Sequence, residues 1–265
     1  MKIHVLNDDR TSCLDYKCEH GLSLLIEMDN KKILFDAGQS DLFIFNASKM
    51  NVKISDIDCI VLSHGDYDHG NGLKFLNIDK KIDLYAHEDI FKNRISKRTG
   101  KYDGLNQTRK EIENKYNLHL TKKYKEISDN IIFLGEIEHT LDFESRKLPM
   151  VDEKSNDYRH FDDTGIALKT PLGLIIVSGC SHSGICNTIE YAKKICKCNS
   201  IYAVIGGFHL KKVTEETLKT INYFRENDVK KILLAHCTSD EVCEEFVKAF
   251  PSRATVIKTG EIYNL

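Results

Sequence analysis

"LSHGDYDHGNGL", Leu62 to Leu73, packs two histidines, two aspartates and three glycines into twelve residues. It follows directly on "DCIVL", an apolar run with the length and composition of a buried strand. Imidazole and carboxylate massed at a strand end are the donor types of divalent metal sites. In an extended segment alternate side chains share a face, so His64, Asp66 and Asp68 are expected to project together, with His69 joining as the chain turns into a helix. A single zinc takes about four ligands in all, and four from so short a window crowd one another. Sharing them between two metals removes the difficulty. A pair held roughly 3.5–4 Å apart can generate a hydroxide near neutral pH and clamp the oxygens of a scissile ester.

The remaining ligands must come from elsewhere in the chain. His182 in "VSGCSHSG", His209 in "IGGFHL" and His236 in "LLAHCTSD" each sit just beyond a strand-like run. If those strands are neighbours, their ends converge on one rim, where α/β architectures place ligands. One such histidine alone reads as an ordinary loop residue. Three at equivalent positions, after a dense H-x-D-x-D-H run, read as a constellation.

The rest of the chain suits such a site. Its 265 residues are 41% hydrophobic, enough for a sizeable core, and are taken as one domain over 1–265. Lysine and arginine number 38 against 40 aspartates and glutamates, so the net charge of -2 gives no general attraction to nucleic acid or to an anionic membrane. No run approaches the roughly 18 apolar residues of a membrane helix, and the nine cysteines contain no C-x-x-C pair. A cytoplasmic protein with reduced thiols is expected. Strand and helix patterns alternate through the second half, and "DNK" reads as a hairpin turn between "LSLLIEM" and "KKILFDAG". Thr238 with Glu241 is expected to form a capping box. The segment 92–162, rich in Lys, Glu, Asn and Tyr, reads as a lid or insertion with a short strand before Gly135.

"HGDYDH" resembles the H-x-H-x-D-H signature of the metallo-β-lactamase superfamily, and "FDAG", Phe35 to Gly38, resembles its upstream strand-end aspartate turn. The nearer likeness is to the dihydropteroate-synthase-like branch, associated in archaea with methanopterin biosynthesis. "CEHGLSLLIE", "FDAGQS", "FLGEIEHTLDFE", "FDDTGIAL", "VSGCSHSGICNTI", "VIGGFHL" and "AHCTSDE" resemble its hallmarks, in order along nearly the whole chain. The resemblance implies an α/β (α+β) fold, a four-layer αββα sandwich with its metal site at one edge. It implies His64 and Asp66 on a first metal, Asp68 and His69 on a second, His182 and His236 as later ligands, and His209 at the rim facing substrate. Asp36 would accept a hydrogen bond from a metal-bound histidine rather than bind metal.

Two positions depart from the superfamily pattern. Asp66 stands where histidine is usual, which makes the site harder and shifts it from zinc toward iron or manganese without excluding zinc. Cys180 stands where many members carry a bridging aspartate; it either packs as a small buried residue or binds as a thiolate. Asp163 is the candidate to supply the missing carboxylate, Asp162 reads as a turn residue, and Cys237 is expected to point away. Glu19 and His20 reach the rim or serve structure. His87 lines the pocket or serves as an ordinary helix-start residue, and His4, His119, His139 and His160 read as structural.

The expectation is therefore a hydrolase with two divalent metal ions, Zn, Fe or Mn, acting on a small-molecule phosphoester or related ester. Asp68 would orient the metal-held hydroxide, with Asp163 and His209 beside it. Phosphoesters are favoured because "GNG" would open a helix whose amides receive an anion, and because the related branch handles a phosphorylated pterin precursor. The alternatives are a di-iron redox enzyme resembling the flavodiiron core and a non-catalytic ligand-binding module on the same fold.

Overall fold

In the computed structural model, which describes residues 1–144 and 150–265, Asp29 and Asn30 take φ of 53° and 56°. That pair of positive values makes the two-residue turn that matches strand twist. It joins β2 (Ser23–Met28) to β3 (Lys31–Phe35), and β1 (Lys2–Asn7) pairs antiparallel on the other side of β2. After α1 (Leu42–Lys49) the apolar run becomes β4 (Cys59–Val61), parallel to β3 and buried throughout. α2 (Tyr67–Gly70) follows, and then β5 (Asp83–Ala86), parallel to β4. A strand with parallel neighbours on both sides is covered on both faces, which is why "CIV" shows no polar alternation. Leu25, Leu34, Phe43, Ile60 and Leu84 form the centre of this core.

The segment 92–162 does not behave as one piece. β6 (Ile95–Ser96), α3 (Arg109–Lys115) and β7 (Asn117–Leu120) extend the first unit, β7 pairing parallel to β5. β8 (Lys125–Ser128) and β9 (Ile131–Phe133) belong to a second unit, β9 being the strand expected before Gly135. β10 (Met150–Val151) returns to pair with β6. Residues 145–149 of this segment lie outside the described residues.

The described chain thus falls into two units, residues 1–122, 150–162 and 258–265 in one and 123–144 and 163–257 in the other, each built on a seven-stranded mixed sheet. The second unit contains β11 (Gly165–Thr170), β12 (Gly173–Ser178), α4 (Ile185–Cys196), β13 (Ile201–Gly206), α5 (Glu215–Glu226), β14 (Lys231–Leu234), α6 (Asp240–Ala249) and β15 (Ala254–Val256). β12, β13, β14 and β15 run parallel in that spatial order. The C-terminal strand β16 (Ile262–Asn264) closes the first sheet against β1.

Phe208, Phe224 and Phe246 meet with ring centroids 5.5–5.6 Å apart in the second core. Phe224 is fully buried there. Phe224→Ala is expected to lower unfolding free energy by about 3–5 kcal/mol, checked by denaturant titration. The capping box is not formed: Ser239 caps α6 by accepting from the Val242 amide, while Thr238 Oγ1 accepts from the Phe208 amide at 2.9 Å. The hydroxyl thus ties two loops together instead of serving the helix.

Burial pushes the Cys59 thiol up to about 12. In the native protein at pH 8, iodoacetamide is expected to modify the exposed Cys13 and Cys18 and to spare Cys59, as read by peptide mass spectrometry. No helix among the described residues is long and apolar enough to cross a membrane.

Candidate metal centre

Asp36 leaves the end of β3 with φ 57°, a left-handed conformation that aspartate tolerates better than most residues. Its carboxylate is fully buried and gathers the loops around it. Oδ1 accepts from the Ser63 amide at 2.8 Å, and Oδ2 accepts from the Ser63 hydroxyl at 2.6 Å and from His69 Nδ1 at 2.7 Å. Ser63 Oγ also lies 2.8 Å from His64 Nδ1. The single hydroxyl proton goes to the carboxylate, so His64 Nδ1 must be the donor in its contact with Ser63. Each imidazole thereby commits the proton on its Nδ1, which leaves Nε2 as the ring atom that can serve a metal when the ring is neutral. Asp36 thus accepts from His69 directly and reaches His64 through Ser63, a relay the sequence did not foresee.

After a bend at Ser63 the chain is extended at Asp66, whose ψ is 147°, and then enters the single helical turn of α2. Alternation therefore accounts for His64 and Asp66 but not for Asp68, which with His69 rides on the helix. Asp66 Oδ2 sits 3.3 Å from His64 Nε2, and Asp68 Oδ2 sits 3.9 Å from His69 Nε2. The two histidine rings are 4.1 Å apart. Close backbone approach holds this turn: Gly72 donates its amide to Gly38 O, and a Cβ at Gly72 would lie 1.9 Å from Ala37 O. "GNG" closes that turn and opens a short 3-10 turn, Asn71–Lys74, with Gly70 at its N-cap. The Asn71 and Gly72 amides are already committed, to Tyr67 O and Gly38 O, so these two donors do not serve an anion.

Carboxylates crowd this part of the first unit. Burial, then Asp68, Asp103 and Asp66, push the Tyr67 phenol up to about 12; burial, then Asp66 and Asp68, push the Asp103 carboxyl up as well. Burial leads both shifts and the neighbouring carboxylates add to it, a local gathering of negative charge that a dication would offset. His20 bridges Asp9 Oδ2 at 2.9 Å and Asp68 Oδ2 at 3.2 Å, so it does reach this cluster. Glu19 instead holds the Ser40 amide and hydroxyl, a structural task. His87 Nδ1 accepts from the Asp89 amide, while His4 and His119 pair with Glu27 and Asp83.

In the second unit, Cys180 and His182 follow β12, His209 follows β13 and His236 follows β14. These are adjacent parallel strands in register, Val177 beside Ile205 and Gly206 beside Leu234, so the three turns leave the sheet at one edge. His209 and His236 have φ of 49° and 40°, strained values that the surrounding turns impose. The rings of His182 and His209 lie 4.6 Å apart. Donor atoms of Cys180, His236 and Cys237 lie within 4.8 Å of one another. Cys237 also donates its thiol to Cys180 O at 3.6 Å, so it faces the other donors and does not point away. Although burial opposes ionisation, the contact with Cys180 and the nearby His236 bring its thiol below the usual range. Asp163 Oδ2 accepts from the Ser183 amide at 2.8 Å, which fastens it to the loop carrying His182.

Three contributors escaped the sequence reading. Arg94 is fully buried and donates to Asp66 Oδ1 at 2.9 Å and to Asp162 Oδ2 at 2.8 Å. Asp162 is no turn ornament: it also accepts from the Gly65 amide at 2.8 Å. Burial disfavours its charge, yet Arg94, and then His160 and His64, hold its carboxyl below the ordinary range. His160 Nε2 lies 3.2 Å from Asp66 Oδ1, so it too has a partner at the cluster. Imidazoles presenting Nε2, carboxylates in excess of local cations and adjacent thiols are a donor set that fits divalent metal ions.

Known proteins resemble this chain in sequence and fold. Residues 16–193 match the family model of the metallo-beta-lactamase superfamily. The chain is 34% identical to the 7,8-dihydropterin-6-methyl-4-(beta-D-ribofuranosyl)-aminobenzene-5'-phosphate synthase of Methanocaldococcus jannaschii, over 99% of this chain and 96% of that one. An uncharacterized protein of the same organism is also 34% identical, over 87% of this chain and 88% of its own. A crystal structure described as a metal-dependent hydrolase of the beta-lactamase superfamily superposes with a TM-score of 0.86 at 26% identity, covering 100% of this chain and 99% of that one. With the signature residues, the two mixed sheets and whole-length likeness in agreement, the chain belongs to the metallo-β-lactamase superfamily.

Proposed function

We propose that the protein is a metal-dependent hydrolase of a small-molecule phosphoester or related ester. The observation that carries this reading is the relay His64–Ser63–Asp36–His69, which turns two adjacent imidazoles into Nε2 donors beside two carboxylates. In this reading His64, Asp66, Asp68 and His69, with His182, His236 and Cys180, hold two divalent ions, zinc, iron or manganese. Two dications bound by these residues would acidify a water and neutralise the charge that develops on a scissile ester. Asp68 orients the attacking water through its carboxylate. In this reading His209, whose ring lies against His182, meets the substrate, and Asp163 keeps the His182 loop in position through the Ser183 amide. A phosphorylated substrate is supported by the 5'-phosphate in the name of the Methanocaldococcus relative.

The test is purification with bound metal, elemental analysis, and assay of phosphomonoester, phosphodiester, lactone and thioester substrates. Turnover of one class that disappears on chelation and returns with metal is the expected result; a protein carrying two metals and turning over none contradicts it. The word synthase in the relative's name supports a second reading, a synthetic reaction with a phosphorylated product. Formation of that product, rather than release of an ester's two halves, separates the two.

A further inference from the structure

A fully buried arginine with no part in the expected donor set calls for an account of its own. Arg94 Nη1 donates to Asp66 Oδ1 at 2.9 Å, and its Nη2 donates to Asp162 Oδ2 at 2.8 Å. The guanidinium is fixed on its other sides: Nε donates to Lys92 O, Nη2 reaches Ile90 O, and the Tyr158 ring lies 4.9 Å from Cζ. The Tyr158 hydroxyl in turn donates to Asp162 Oδ1 at 3.2 Å. Gly65 makes room for this packing, since a Cβ there would stand 2.0 Å from Ile90 O and 2.8 Å from Arg94 Nη2. One fixed cation is thus shared between two carboxylates, which leaves the cluster with a net negative charge. Asp66 occupies the N-cap of α2, where an aspartate ordinarily accepts from the first turn's amides; here its side chain makes no capping bond. Its Oδ1 is taken by Arg94, with His160 Nε2 at 3.2 Å, while Oδ2 lies 3.3 Å from His64 Nε2.

We infer that Arg94 is a positioning residue that decides how Asp66 binds metal: Oδ1 is pinned by the guanidinium, so Asp66 presents Oδ2 alone, as a one-toothed and partly neutralised ligand. The arrangement makes the carboxylate geometrically equivalent to the single nitrogen of a histidine, the residue usual at this position in the superfamily. It also explains why the segments carrying residues 90–94 and 158–162 converge on the turn at Gly65. The inference rests on the proposed metal centre, and its test is built to separate the two.

The experiment is a double-mutant cycle with Arg94→Lys and Asp66→Asn, read as the dissociation constant of Zn2+ or Mn2+ by calorimetry, with melting temperature as the measure of folding. A lysine keeps the charge but cannot span both carboxylates. Arg94→Lys is expected to weaken metal binding by about tenfold or more in the native background, and by less than about twofold when Asp66 is already Asn. Should Arg94→Lys fail to fold, the same cycle is run with Asp162→Asn, which removes the second anchor of the guanidinium while keeping its shape. Equal losses in both backgrounds would show that Arg94 serves the fold alone and overturn the inference. A native protein that binds no metal at all overturns the metal centre, and the inference with it.

Discussion

Asp36→Asn is expected to cost metal affinity by a factor of about 10–100 while leaving the backbone in place. Asparagine tolerates the left-handed conformation that residue 36 adopts, with φ 57°, so the turn itself survives. What changes is the proton inventory. The aspartate accepts from the Ser63 amide, the Ser63 hydroxyl and His69 Nδ1; an amide has one acceptor oxygen and places a donor against one of these groups. If the NH2 group takes the place of Oδ2, it faces the Ser63 hydroxyl and His69 Nδ1 together, so His69 moves its proton to Nε2 and the relay to His64 is upset as well. If it takes the place of Oδ1, it meets the Ser63 amide donor against donor and displaces the loop that carries His64. Either arrangement disturbs the histidine donors. Calorimetric titration of metal into the variant, with circular dichroism to show an unchanged fold, measures the effect. Unaltered affinity would show that the relay does not set the donor atoms.

The second large effect concerns turnover. Asp68→Asn is expected to lower kcat by about 10²–10³-fold, the scale of losing one precisely aimed polar group in a catalytic site. Asp68 is buried on the first turn of α2, with Oδ2 facing both His20 Nε2 and His69 Nε2. The backbone at residue 68 is anchored independently of the side chain, because its carbonyl accepts from the Leu22 amide at 3.3 Å. Loss of the charge should therefore leave the turn standing, and the change should appear in kcat on whichever ester the native protein hydrolyses. A drop in melting temperature that accounts for the lost activity would assign Asp68 to structure instead.

Much of this molecule was legible as sequence where a local pattern carries the information. "DCIVL" and the runs before Cys180, His209 and His236 are strands because their apolar residues are continuous, and their parallel order in the second sheet brings the following turns to one edge. The donors were legible by type. Their placement is only partly so, since a helical turn of four residues, Tyr67–Gly70, is too short to show a period and Asp68 reads as part of the extended segment. The Arg94 network was illegible for a different reason. Asp66 meets Arg94 across 28 positions and His160 across 94, and no pattern around "FKNRISKR" distinguishes an arginine that will be wholly buried from one bathed in solvent. Thr238 misled because a hydroxyl three residues before an acid satisfies the capping pattern equally well when it serves another loop.

Anomalous diffraction from crystals grown with zinc or manganese tests the central claim most directly. Two peaks are expected, bound by Nε2 of His64 and His69 and by the carboxylates of Asp66 and Asp68, with His182 and His236 completing the set. Well-ordered crystals from metal-rich solution showing those side chains with no anomalous density among them would contradict it.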